Sequence, residues 1–403
     1  MATETLTYVK QHNIQEYKHE KQPDISYHPD KDEWRQRTAR RLGENPSLPL
    51  TPLPQGFPEQ IESSLVWEGK DWKDESEWVY NLSIGQLEEI DAAVNHFHGL
   101  GLHLGHASQS TFPLPTLGPV LRSLSQELHS GRGFFVLRTL PVDSYSRSDI
   151  VLIYAGISSY VAPTRGRQDK EGGVLSHIKD LSTGQPAGSI GGPAYTTDKQ
   201  VFHTDIGDVV SLFALETAKE GGISRISSSW RVYNELAKKR PDLIKTLAEP
   251  WPVDGFGADP PYTSRPLLYY LDQKLIIQYA RRYFTGFLAL PRSSNIPPIT
   301  EAQAEALDTL HFLAEEFSLG LNFQKGDIQY INNLSIFHAR DGFRDEGEKT
   351  RHLIRLWLRN EELAWQLPAE LKSLWDRIYS VQPEDQTFTL EPVIRAAVRG
   401  KSV

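Results

Sequence analysis

The chain has 403 residues, 39% of them hydrophobic, 10% aromatic and 24% charged, with no cysteine and a formal net charge of −9. This balance excludes a disordered chain, and the lack of cysteine excludes disulfides, zinc fingers, thiolate catalysis and cysteine-held iron–sulfur clusters, leaving nitrogen and oxygen ligands for any metal. The negative charge gives no field for a polyanion, so the main partner is expected to be a small molecule and not nucleic acid.

No run approaches the roughly 18 apolar residues of a membrane span, and the opening "MATETLTYVKQHN" lacks the marks of a signal or transit peptide, so a cytoplasmic protein without a membrane partner is expected. Residues 1–80 are polar and Pro-rich ("NPSLPLTPLPQGFPEQ") and read as an extension that wraps the core or mediates contacts, a homodimer being one assembly open to it. From residue 81 to 403 the pattern is that of one catalytic domain. Ser83 with Gln86 forms a capping box, and Leu87, Ile90, Ala93, Val94 and Phe97 recur at helical spacing. A second helix is expected over about 118–129, a strand in "GFFVLRTLPV" and a third helix in "SRSDIVLIYAGISSYV".

Residues 163–197 are Gly-rich ("TRGRQDKEGG", "STGQPAGSIGGPAYTT") and long for a loop inside a compact domain, which suits a substrate lid. "GQPAGSIGG" lacks the spacings of a phosphate-binding loop and follows no apolar strand, so dinucleotide binding is rejected. The stretch "KQVFHTDIGDVVSLFAL" reads as one buried strand. Helices follow in "SSSWRVYNELAKKR" and "PDLIKTLAE", then a hairpin turning at Asp272 and Gln273, a helix over 301–317 capped by Thr300, and three closing strands, "GDIQYINN", "LSIFHARDG" and "RHLIRLWLR".

The chemistry concentrates on three positions. In a strand, residues i and i+2 share a face, so His203 and Asp205 project side by side. An isolated His-x-Asp triplet is common, and taken alone a hydrogen-bonded pair at a strand end is the more ordinary explanation of it. What separates the metal reading is His338 on a later strand, followed by Arg351 and Arg355 four apart on the last one. Two imidazoles and a carboxylate on one face, with other coordination positions open, make the facial triad of non-haem Fe(II) oxygenases. Arg340 and Arg344 are nearer His338 but sit in the polar run "ARDGFRDEGEKT", where arginines are usually solvated. The cluster "HFHGLGLHLGH" lacks an i, i+4 clamp or a carboxylate and reads as a helix end.

The sequence resembles the TauD/TfdA family of Fe(II)- and 2-oxoglutarate-dependent dioxygenases, in particular its larger fungal branch, over roughly residues 130–360. The resemblance rests on His203 and Asp205, then "EGGIS" ending at Ser224, then His338, then Arg351 and Arg355. It implies that His203, Asp205 and His338 are the catalytic metal ligands for Fe(II). It also implies that Arg351 and the Ser224 hydroxyl bind 2-oxoglutarate, with O2 as the other cosubstrate, and that Arg355 faces an anionic group of the substrate. The family usually has Thr where Ser224 stands, a change that keeps the hydroxyl. The implied fold is α+β with a mainly β core, a cupin-like jelly roll or double-stranded β-helix with surrounding helices. The implied reaction is oxidation of an unactivated C–H bond of a small anionic metabolite such as an amino acid, carboxylate or sulfonate, usually hydroxylation; oxidative cyclisation or desaturation in secondary metabolism is the alternative. His177, Tyr195, Thr196, Arg282 and Tyr283 are further candidate substrate contacts. A non-catalytic jelly roll that binds a metal or ligand, or a metal hydrolase, would need no arginine for a 2-oxo acid.

Overall fold

The computed structural model describes residues 21–394; residues 1–20 of the expected extension and residues 395–403 lie outside the described part. Two β-sheets face each other. The larger has seven strands in the order Val79–Asn81, Phe134–Arg138, Ile328–Asn332, Val209–Glu216 and His352–Arg359, the last pairing with both Thr164–Gly166 and Leu175–Lys179. The smaller runs Leu319–Leu321, Ser224–Ser228, Ile336–Arg340, Gln200–His203, antiparallel throughout. This is the cupin-like double-stranded β-helix expected from the sequence, its two sheets burying their facing sides as a sandwich does.

The outer face of the larger sheet carries Phe135, Phe213, Tyr330, Ile354 and Leu356, packed against Ile90, Phe97, Leu121 and Ile153 of three helices. Those helices are Ile84–Leu100, Leu117–Ser130 and Arg147–Val161, close to their expected positions, and Ser83 and Gln86 form the reciprocal capping box. The hairpin also forms as expected: Leu268–Leu271 pairs with Lys274–Ile277, and Asp272 and Gln273 have φ of 47° and 60°, as a two-residue turn with two left-handed positions requires. Among the described residues no helix is long and apolar enough to cross a membrane.

Three local expectations are corrected. The run 199–215 is not one strand: pairing stops at His203 and resumes at Val209, with Gly207 at φ 105° in the break. A side chain at Gly207 would come within 2.6 Å of the Tyr379 hydroxyl, so the bend there needs glycine on both counts. Secondly, the segment 163–197 contributes two strands to the larger sheet before it becomes irregular; only residues 182–189 form a continuous exposed stretch.

Thirdly, the polar extension contains a helix, Lys31–Glu44, whose one fully buried residue is Arg37. Asp30 caps it by accepting from the amides of Asp32 and Glu33. The helix lies along Glu301–Glu316 through charged groups: Arg37 Nη1 bonds Asp308 Oδ2 at 2.6 Å, Arg40 bonds Glu301, and Arg41 bonds Glu305. Docking chiefly through paired charges, with Trp34 stacking on Phe312 at 4.9 Å, is why no hydrophobic periodicity marks it.

Candidate active site

The strand break after His203 builds the site. Asp205 stands in the bend, and its backbone is held by Asn333, whose Oδ1 accepts from the Asp205 amide at 2.8 Å and whose Nδ2 donates to the carbonyls of Asp205 and Gly207 at 2.9 and 2.7 Å. His203 ends one strand of the smaller sheet and His338 lies directly opposite it on the neighbouring strand, their ring centroids 4.1 Å apart. One donor atom from each of His203, Asp205 and His338 lies within 4.8 Å of the other two. The grouping therefore arises across two strands and a bend, not from one strand face.

The electrostatics suit a divalent cation. Burial pushes the Asp205 carboxyl up, but Arg355, His338, His203 and the Trp357 indole N–H together outweigh it and hold the group ionised, well below the usual carboxylate range. Burial lowers both imidazoles, His338 to about 3 with help from His203, so each is neutral and able to ligate. His203 Nδ1 faces the Val201 carbonyl at 2.8 Å; as a donor there it leaves Nε2 as the acceptor nitrogen, which takes a 3.2 Å hydrogen bond from Gln200 Nε2 that a metal would displace. Two neutral imidazoles and one fixed carboxylate fit Fe(II), and among the described residues this is the one group of three or more such side chains placed to hold a metal.

Ser224 and Arg351 each have partners that the sequence did not reveal. Arg351 is buried just before the last strand, and burial lowers its guanidinium to about 9. Its side chain runs over Gly222 at φ 70°, where a Cβ would lie 2.9 Å from Arg351 Cδ; the glycine of "EGGIS" leaves room for the arginine. The Ser224 hydroxyl donates to Gln329 Oε1 at 3.4 Å. Arg344 is half exposed and paired with Glu220 and Glu346, so it is no rival. Arg340 departs from expectation: it is the last residue of the strand Ile336–Arg340, 4% exposed, and not a solvated loop arginine.

Arg355 points inward, as Leu353 and Trp357 do, while Ile354 and Leu356 face the helices. It lines a cavity of about 190 Å³ that opens beside His203 and Asp205. Tyr195, Arg282 and Tyr283 line the same cavity, with Tyr27 and Phe256, which the sequence reading missed. The Arg282 guanidinium sits 5.3 Å from the Phe256 ring centroid and Tyr283 stacks on that ring.

Two candidate contacts are corrected. His177 pairs with Ile354 in register and therefore takes the outer face, where Nδ1 meets His352 Nε2 at 2.8 Å and Nε2 meets the Thr389 carbonyl. Thr196 is buried with its hydroxyl turned to the Pro193 carbonyl and does not line the cavity.

Residues 97–357 match the family model described as taurine catabolism dioxygenase TauD, TfdA family. The chain is 40% identical over 341 residues to the taurine hydroxylase-like protein SAT17 of Stachybotrys chartarum, covering 83% of this chain and 88% of that protein. It is 25% identical over 325 residues to FR-33289 synthase of Streptomyces rubellomurinus, covering 78% and 94%. In fold it is similar to asparagine oxygenase solved with Fe(II), 3-hydroxyasparagine and succinate, at TM-score 0.53 and 17% identity over 70% of this chain and 93% of that one. It is also similar to the non-haem iron oxygenase OrfP solved with Fe and α-ketoglutaric acid, at TM-score 0.51 and 14% identity over 70% and 94%. The chain is an enzyme of the TauD/TfdA dioxygenase family.

Proposed function

We propose that this enzyme uses Fe(II), 2-oxoglutarate and O2 to hydroxylate an unactivated C–H bond of a small anionic, amino-acid-like metabolite. The observation that carries the reading is a pair of buried arginines: Arg355 is bonded to Asp205 of the His203–Asp205–His338 group, and Arg351 shares the Phe343 ring with Arg340, two residues from His338. Arg351 lies in the closed interior, suited to the far carboxylate of the cosubstrate, and Arg355 lies on the wall of the open cavity. A planar guanidinium matches a carboxylate with paired donors and stays charged at working pH. The cavity's 190 Å³ is below the roughly 300–1,000 Å³ of drug-sized ligand sites, which favours a small metabolite.

When bound, Fe(II) supplies the redox centre at which oxygen is reduced as the 2-oxo acid loses CO2. The protein's residues hold and orient. Asp205 gives the anionic ligand, kept in place by Asn333 and Trp357. Ser224 and Arg351 orient the cosubstrate, while Arg355, Arg282 and Tyr195 orient the substrate and the aromatic wall of Tyr27, Phe256 and Tyr283 excludes water. The residue range 182–197 would act as the lid over this cavity, and residues 21–80 as an extension whose Tyr27 closes one side.

Support for hydroxylation comes from relatives named as a hydroxylase-like protein and an asparagine oxygenase. The relative named as a synthase keeps cyclisation or desaturation as an outcome of the same test. Purified enzyme is incubated with Fe(II), 2-oxoglutarate and a panel of amino acids, carboxylates and sulfonates. An oxygen-dependent gain of one oxygen atom with matching succinate supports the proposal, and a loss of two hydrogens indicates the alternative. Turnover without O2 or a 2-oxo acid would refute both.

A further inference from the structure

Beside the metal-ligand group lies a buried cluster rich in hydrogen-bond donors. Arg340 is directly opposite Ser224 in the smaller sheet and two residues from His338 on the same strand, so all three share the inward face. Arg340 and Arg351 both stack on Phe343, their guanidinium carbons 4.8 and 5.5 Å from the ring centroid. Arg340 Nε and Nη1, Arg351 Nη1 and Gln329 Nε2 are all buried with no hydrogen-bond partner among the described residues. The remaining guanidinium nitrogen of Arg340, Nη2, donates to the carbonyls of Pro193, Thr196 and Asp198. That segment carries Tyr195 into the substrate cavity and continues into the strand that ends at His203.

Two guanidiniums placed around one ring repel each other, and four orphaned donors are costly to bury. Burial lowers Arg340 to about 10, and the field of Arg340 contributes to the lowering of Arg351. An anion that accepts from both arginines removes both penalties. Arg344, by contrast, spends its donors on surface acids.

We infer that Arg340 is a second guanidinium for the distal carboxylate of the 2-oxo acid and that, through Nη2, it couples cosubstrate binding to the position of the 193–198 segment. The inference rests on the proposed use of 2-oxoglutarate and adds a residue with two duties. Nη1, an unpartnered donor, faces the cosubstrate while Nη2 holds three carbonyls of the substrate-side segment. Arg340 is a positioning residue for substrate, so cosubstrate binding completes the Tyr195 side of the cavity before substrate enters.

The test is anaerobic titration of the Fe(II)-loaded protein with 2-oxoglutarate, followed by the visible absorption of the chelate, with hydrogen exchange read in parallel over residues 190–200. In the wild-type protein 2-oxoglutarate should slow exchange in that segment. Arg340→Gln should weaken 2-oxoglutarate roughly tenfold or more, as expected for loss of a charged hydrogen bond, and should abolish the ligand-dependent slowing while iron content stays unchanged. Arg351→Gln should weaken binding similarly, yet keep the slow basal exchange, because the Arg340 bonds to the segment persist. Arg340→Lys, which keeps the charge and loses the fork, should bind with intermediate affinity and serves if the Gln variant does not fold. Arg344→Gln should match wild type. Wild-type affinity in both Arg340 variants, or exchange in the 190–200 segment indifferent to 2-oxoglutarate in the wild type, overturns the inference alone. Failure of the iron-loaded wild-type protein to bind 2-oxoglutarate overturns the proposed cosubstrate and this inference with it.

Discussion

Arg355 donates from Nη1 to Asp205 Oδ2 across 2.6 Å, so the arginine suited to grip the substrate also braces the carboxylate that would hold the metal. Its Nε is bonded to Gln168. Arg355→Gln is therefore expected to do two things at once. It should raise the ratio of succinate to oxidised product, because substrate is misplaced, and it should weaken iron retention by well over tenfold, because Asp205 loses a charged partner worth on the order of 2 kcal/mol. Iron per chain after dialysis and the succinate-to-product ratio separate the two effects. Unchanged iron retention would show that Asn333 and Trp357 hold Asp205 unaided.

Asp205 is the one carboxylate of the metal-ligand group. Asp205→Ala should abolish succinate formation and tight iron binding, leaving a folded protein. Elemental analysis with a thermal unfolding scan checks it, and normal iron content in that variant would dismiss the triad.

Arg351→Gln should raise the 2-oxoglutarate requirement well over tenfold, the consequence of about 2 kcal/mol or more lost with a buried charged hydrogen bond. Saturation curves for 2-oxoglutarate at fixed substrate measure this. An equal effect from Arg344→Gln would contradict the exposed pairing of Arg344 with Glu220 and Glu346.

His311 is buried against Phe202 and Phe312, and burial lowers it from 6.5 to about 3, with Lys199, Arg281 and His28 adding to the shift. A histidine kept neutral in the fold takes up its proton on unfolding. Its contribution is thus fully present above about pH 6.5 and is lost as pH falls toward 3. Each such group makes stability fall by about 1.4 kcal/mol per pH unit within that window. His311→Phe should reduce the slope of unfolding free energy against pH between about 6 and 4 by close to one proton, which denaturant melts at several pH values will read.

Arg37 bonds Asp308, Glu301 and the Asp24 carbonyl, and Arg281 reaches the other oxygen of Asp308. Arg37→Ala strips a buried acid of one partner, a change that typically costs about 3–5 kcal/mol. It should loosen the segment that brings Tyr27 to the cavity, raising KM for substrate more than for 2-oxoglutarate. Equal effects on both would show that the helix Lys31–Glu44 supports the whole domain and not the substrate side.

The residues with the strongest local chemistry were legible in the sequence. Ser83 with Gln86, the Thr300 cap, and the Asp272–Gln273 turn act over three or four residues and depend on nothing distant. His203, Asp205 and His338 could be picked out because a triad with the right residue types in the right order is rare. Their grouping was right for a partly wrong reason, since Asp205 reaches the metal position through a bend pinned by Asn333, and one asparagine side chain some 130 residues away leaves no local pattern. Arg340 was misread because "ARDGF" is polar in composition, whereas burial is set by the two sheets closing over it. His177 was misplaced because a Gly-rich neighbourhood hid a strand, and strand parity decides which side a ring takes.

Tyr27 belongs to a segment that precedes the family-matched span of residues 97–357, yet its ring forms part of the wall facing the metal ligands. The candidate metal ligands and one wall of the proposed substrate cavity are thus encoded in separate stretches of chain, joined by the ion pairs between Lys31–Glu44 and Glu301–Glu316. Substitutions in the earlier stretch can retune which molecule is admitted while the His203, Asp205 and His338 ligands stay untouched, so new substrates can be explored without placing the chemistry itself at risk.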